Sequence, residues 1–339
     1  MINKPFLKPA VTFDGTGTDV TAYYRGRSYA LGLPGGAEVT AALSAMDGRR
    51  DADGIAAASG LDDAATGKLI AALNGTPLAL EGEGLVGPAG VRTGREAFWR
   101  LEAQLWNFRQ AGRTAGLHVP QLFHEVGAGR APVDVVKGFC LEICHQVSNA
   151  PTEISLAIAH APTKAIRDLY MHFYEEEYSH GDILREALAT WLPDAGIGAS
   201  VPLPSTAGML ANYNWWAESD PLLYAVALMR DEGSPLDAVN PPETDIYAAM
   251  KTRYEVPEKV VDRFEWHANL DTDNDHGFFP EQVFAQVQVV DDARYARLTK
   301  AARTIVEVYD AVMDDVLRYY SAQPVESRWS GGTVAALTG

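Results

Sequence analysis

From residue 94 onward, apolar residues recur three and four positions apart, the period of a helix with one buried face. This pattern predicts helices over 96–111, 132–148, 162–192, 220–232, 243–254, 258–272 and 291–321, punctuated by Pro- and Gly-rich stretches such as LPDAGIGASVPLPSTAG and SPLDAVNPPETD. The first 90 residues read differently. Short apolar runs at 9–13 and 20–33 predict strands with Gly-rich turns, and three short helical patterns follow at 37–45, 53–59 and 63–73. Asp47-Gly48 ends the first of these helices, Gly60 separates the other two, and Asp62 is placed as an N-cap. The fold class is therefore mainly α: a helical bundle over 94–339, preceded over 1–90 by a small α+β winged-helix-like module, with 81–93 as the linker.

The run LYMHFYEEEYSHGDILREAL drives polar groups into an apolar face. At about 100° per residue, Leu169, Tyr170, Phe173, Glu177, His180, Leu184 and Leu188 share one arc. An ionised carboxylate alone on that arc costs several kcal/mol, so Glu177 must be neutralised, paired or bound to a cation. Glu-x-x-His is also the spacing that offers one oxygen and one imidazole nitrogen to a common ion. Glu176, just outside the arc, is a weaker candidate. The bland reading is a core histidine paired to a glutamate.

Two further segments carry acid and imidazole. The stretch DPLLYAVALMRDE, capped by Ser219 or Asp220 with Pro221 in its first turn, is apolar on nearly every side and closes on Glu232. A glutamate at a helix C-terminus is opposed by the dipole and favours a nearby counter-charge, although a solvated Glu232 is the alternative. In EKVVDRFEWHANLDTDNDHGFF, Val260, Phe264, His267 and Asp271 fall on one face and Asn274 continues it. His276 lies opposite unless the helix ends or bulges within DTDND. Two imidazoles and three carboxylates from three helices form a mixed N/O donor set without thiolate, which suits iron or manganese better than structural zinc.

The stretch GFCLEICHQVSNAPTEISLAIAHAPTKAIRDLYMHFYEEEYSHGDILREALATWLPDAG resembles the haem-oxygenase-like dimetal oxidases, relatives of the TenA (thiaminase-like) and PqqC folds, over roughly 98–320. The resemblance implies a haem-oxygenase-like helical bundle. It also implies two Fe(II) held by Glu177, His180, Glu232, His267, Asp271 and His276, with O2 as co-substrate. The family's closing histidine falls on Asn274 here and His276 comes two residues late. Either His276 swings in through a distorted turn, or the second iron is labile and enters with substrate or O2. The implied chemistry is oxidation of a small substrate such as an amino acid or fatty acid in specialised metabolism, read here as amino-acid-derived: desaturation, cyclisation, C–C cleavage or N-oxygenation. A second Glu-x-x-His, Glu142 to His145, stands in the wrong order for a ferritin-like site and is assigned to packing or a pocket wall. The aromatic cluster Tyr213, Trp215, Trp216 and Tyr224 reads as core or pocket lining.

The segment YALGLPGGAEVTAALSAMDGRRDADGIAAASGLDDAATGKLIAALNG resembles the PqqD-like peptide-binding domain, which implies a leader peptide as partner of the 1–90 module. The other expected partners are a small-molecule substrate, an external electron donor and a second copy of the chain in a homodimer. A net charge of −17 argues against nucleic acid or an anionic membrane surface. Neither a signal peptide nor a membrane-spanning run is visible, and the only cysteines, Cys140 and Cys144, read as buried thiols of a cytoplasmic protein. P-loop, Gly-x-Ser-x-Gly and dinucleotide fingerprints are missing. Two other readings stay open: a metal-free PqqC- or thiaminase-like acid–base enzyme, and a peptide-binding module that delivers a carrier-peptide substrate.

Overall fold

The computed structural model describes residues 2–14, 19–24, 27–88, 90–114, 120–231, 245–273 and 279–329, with the backbone alone described at 109–114, 195, 231 and 269–273. The chain forms two compact units. The first takes in Met1–Asn107 and Phe284–Thr299, the second Phe108–Ser234, Asn240–Val283 and Lys300–Gly339.

In the first unit, β1 (Pro5–Leu7) pairs antiparallel with β5 (Ala79–Glu81), Phe6 opposite Leu80. A separate antiparallel sheet has the order β2 (Thr12–Asp14), β3 (Thr21–Tyr24), β4 (Arg27–Ala30). The run read as one strand over 20–33 is thus a hairpin. Strands β1 and β5 escaped the sequence reading because three residues carry no measurable alternation.

Helices α1 (Ala37–Ala45), α2 (Ala52–Ser59) and α3 (Asp63–Leu73) stand where the apolar spacing put them. The side chains of Asp51 and Asp62 accept from Gly54 N–H (3.0 Å) and Ala65 N–H (2.7 Å), satisfying donors that each helix start leaves unpaired. Gly60 ends α2 at φ +76°, a left-handed position where a Cβ would be strained. Val20, Leu43, Ile55, Leu69 and Leu73 make the core of this unit.

The remaining helices are α4 (Gly94–Thr114), α5 (Gln121–Gly127), α6 (Val133–Ala159), α7 (Lys164–Glu177), α8 (His180–Leu188), α9 (Asp194–Ala199), α10 (Pro204–Ser219), α11 (Pro221–Asp231), α12 (Ile246–Arg253), α13 (Glu258–Asp273), α14 (Phe279–Ala285) and α15 (Asp292–Ala322). Among the described residues no helix is long and apolar enough to cross a membrane.

Helix α6 is the hub of the second unit and packs against α7, α8 and α10. It runs on past 148, where the sequence reading ended it, straight through Pro151. Burial of Glu153, Ile154 and Ala157 on its inner side holds the extension together despite the hydrogen bond that proline cannot make. Near its start the Tyr320 ring of α15 lies on Gly138, where a Cβ would sit 2.1 Å from the ring. One turn later the fully buried Glu142 accepts from Tyr320 O–H (2.8 Å) and from Leu203 N–H (3.0 Å) at the start of α10. Burial pushes the Glu142 carboxyl above its ordinary range, against the pull of these donors. Helix α11 is buried continuously from Leu222 to Met229, as its unbroken apolar sequence requires. The segment rich in Pro and Gly before it was read as punctuation, yet it folds into α9 and the first turn of α10, where Pro204 starts the helix.

Candidate metal centre

The residues read as one helix over 162–192 form two. Helix α7 begins at Thr163, whose hydroxyl accepts from Ile166 N–H (3.3 Å), and ends on Glu177; α8 begins on His180. Tyr178 (φ −60°, ψ −24°) and Ser179 (φ −103°, ψ −8°) remain right-handed between them, while the regular ladder lapses. Gly181 lies just past this break. Its backbone is seated so closely on α6 that a Cβ would meet Ser148 Oγ at 2.7 Å and Ser148 Cα at 2.8 Å. Only a glycine lets α8 dock at that depth.

The predicted apolar arc survives this break. Tyr170, Phe173, Leu184 and Leu188 are buried, with Glu177 6% and His180 9% exposed among them. Because the two connecting residues keep helical dihedrals, Glu177 Oε2 and His180 Nδ1 meet at 2.8 Å. Glu176 is exposed and pairs instead with His172 (3.4 Å).

His267 arrives from α13, on the face that buries Val260 and Phe264. One ligand atom each from Glu177, His180 and His267 can be chosen so that all three lie within 4.8 Å of one another. The two imidazole rings stand nearly perpendicular, 5.4 Å between centroids. Phe173 stacks on Phe279 (4.4 Å), and Trp266 meets His180 edge-on (5.7 Å) with the Arg263 guanidinium over it (5.7 Å). Trp266 was not singled out in the sequence, although its place beside His267 was the available signal. Of the other expected ligands, Asp271 lies in α13 with its side chain outside the described residues; Glu232, Asn274 and His276 lie outside them entirely.

The donor set fits a divalent ion. Ligands about 2.0–2.2 Å from one ion stand about 3–4.4 Å apart, so a small side-chain rotation closes the three atoms on a common centre. Two imidazoles and one carboxylate on one side of an ion is the donor pattern of non-haem Fe(II) sites.

This arrangement of helices has a solved counterpart. A domain of unknown function with a heme oxygenase-like fold from Shewanella denitrificans superposes with a TM-score of 0.55 at 16% identity, covering 66% of this chain and 93% of that one. The fold is haem-oxygenase-like. A TenA homolog from Pseudomonas syringae pv. tomato aligns at 13% identity over 68% of this chain and 97% of that one, with a TM-score of 0.49. No family model and no curated protein matches the sequence.

Elsewhere in the haem-oxygenase-like helices, Glu142 is the packing group described above, and His145 lines a cleft with its Nε2 3.0 Å from Ser200 Oγ. Tyr213, Trp216 and Tyr224 are core residues, whereas Trp215 of the same cluster is 58% exposed. Both cysteines are buried thiols.

Proposed function

We propose that this protein is a non-haem iron, O2-activating oxidoreductase acting on a small substrate. The observation that carries the reading is the convergence of Glu177, His180 and His267 from α7, α8 and α13, with Trp266 edge-on to His180. These three residues would hold one Fe(II); Glu232, Asp271 and His276 are assigned to a second, more labile ion. Iron in this site would supply the oxidising equivalents from O2 for an unactivated position of an amino-acid-derived substrate. The chain's own contribution is positional. Glu177 fixes the orientation of the His180 ring through Nδ1, the Gly181–Ser148 seat fixes the backbone that carries it, and Trp266 lies against the ring edge-on. The 1–90 module is assigned to a leader peptide that would bring the substrate, and an external donor would return electrons.

Metal analysis tests this. Protein reconstituted anaerobically with Fe(II) should hold two equivalents, or one where the second site fills only with substrate, and His267→Ala should abolish tight binding. Iron binding equal in wild type and His267→Ala overturns the assignment. A second reading, metal-free acid–base catalysis, is favoured by the 2.8 Å contact of Glu177 with His180, a carboxylate–imidazole pair able to move a proton. Activity undiminished by a chelator would select it.

A further inference from the structure

Helix α7 turns a second stripe of side chains away from the metal ligands. At about 100° per residue, Lys164, Arg167, Met171, Tyr174, Glu175 and Tyr178 share an arc of about 100°, separate from the one that buries Tyr170, Phe173 and Glu177. Met171 is 48% and Tyr178 59% exposed, and the Tyr174 ring stacks on that of Tyr178 at 6.3 Å. These three stand at i, i+3 and i+7, the spacing with which one helix offers apolar side chains to another. The stripe is basic at its start, with Lys164 and Arg167, and acidic at its end, with Glu175. The first turn of α7 holds no acid, so its two cations oppose the helix dipole. We propose that this face docks a second copy of the chain, the two α7 helices running antiparallel about a two-fold axis at Met171.

The order of charges selects both the partner and its direction. An isologous contact needs one self-complementary patch, and this stripe is complementary to itself only when reversed. The axis brings the first turn of each helix against the last turn of the other. Met171 then meets its own copy, Lys164 comes beside Glu175 of the second copy, and Arg167 comes beside the Tyr174 and Tyr178 rings of that copy, a cation–aromatic contact. Parallel docking would set Lys164 on Lys164 and Glu175 on Glu175. Within one chain, Glu175 reaches His172 at 3.9 Å, a contact between two exposed side chains that contributes little and leaves the carboxylate available. A net charge of −17 opposes self-association in general, and a surface whose cations meet acids is where that repulsion is least. One helix face per chain makes a small interface, so the dimer is weak and depends on concentration.

Sedimentation velocity on the full-length protein tests this. Between about 1 and 200 μM the wild type should pass from monomer to dimer. Met171→Glu sets two carboxylates against each other on the axis and should weaken association about tenfold or more. Met171 is exposed, so the variant should melt like the wild type, which circular dichroism checks. Cysteine cross-linking reads the geometry independently, because both native thiols are buried. Met171→Cys should link to its own copy under mild oxidation. Lys164→Cys should not, since its seven-residue offset from the axis puts the two thiols about 21 Å apart. A wild type that stays monomeric at about 200 μM, or Met171→Glu that associates like the wild type, would overturn the proposal. So would Met171→Cys that fails to link, or Lys164→Cys that links to itself as readily, the mark of a parallel pair.

Discussion

Replacing Gly181 with alanine probes how the candidate metal centre is positioned. The added Cβ would meet Ser148 at 2.7 Å (Oγ), 2.8 Å (Cα) and 3.1 Å (N). Ordinary carbon contacts begin near 3.5 Å, so α8 must retreat from α6 by about 0.7 Å. Two of the three obstructing atoms belong to the backbone, and no rotamer change relieves them. Overpacking of this kind costs about 1–3 kcal/mol. The residue before Gly181 is His180, so the displacement is delivered to the ligand itself, and metal affinity should fall about 10–100-fold, as it does when groups supporting a ligand are lost. Differential scanning calorimetry of the apoprotein measures the first effect and an anaerobic Fe(II) titration the second. Adding Ser148→Ala removes only the hydroxyl oxygen and should restore little of either. A Gly181→Ala protein that melts and binds iron like wild type would show that the close seat of α8 does not set the position of His180.

Two further expectations follow from groups outside the centre. Because the His145 pKa falls from 6.5 to about 4 on folding, the unfolded chain binds the extra proton between those values, and stability should drop as pH falls through that window. The difference amounts to at most about 3 kcal/mol, and His145→Gln should lose less stability than wild type over the same range; parallel curves would refute the burial argument. Tyr320→Phe keeps the ring on Gly138 but removes the donor to Glu142, which should cost about 1–3 kcal/mol in urea unfolding, and an unchanged midpoint would mean the carboxylate is satisfied without it.

The helical fold was legible because period and burial agree wherever a helix has one wet face. The arc from Tyr170 to Leu188 and the face carrying Val260, Phe264 and His267 are examples. Helix α10 was missed because its termini lie among prolines and glycines and its middle carries aromatic residues on both buried and exposed sides. The close seat of α8 was invisible for a different reason: it depends on where Ser148 of another helix lies, a fact that no local pattern contains. Glu177 and His180 were readable as a pair from their three-residue spacing. Their meeting with His267, 87 positions further on from His180, depends on the packing of α8 against α13.

The hydrogen bond between Glu142 and Tyr320 spans 178 residues, and the same carboxylate also accepts from Leu203 N–H at the start of α10. A ribosome therefore releases the acid, and then the start of α10, long before the phenol that completes their partnership. Until that last stretch of α15 emerges, the nascent helical unit carries a carboxylate short of a donor in what is to become its interior. Consolidation of the bundle is thereby deferred until α15 has been made, the slow regime expected of contacts this distant in sequence.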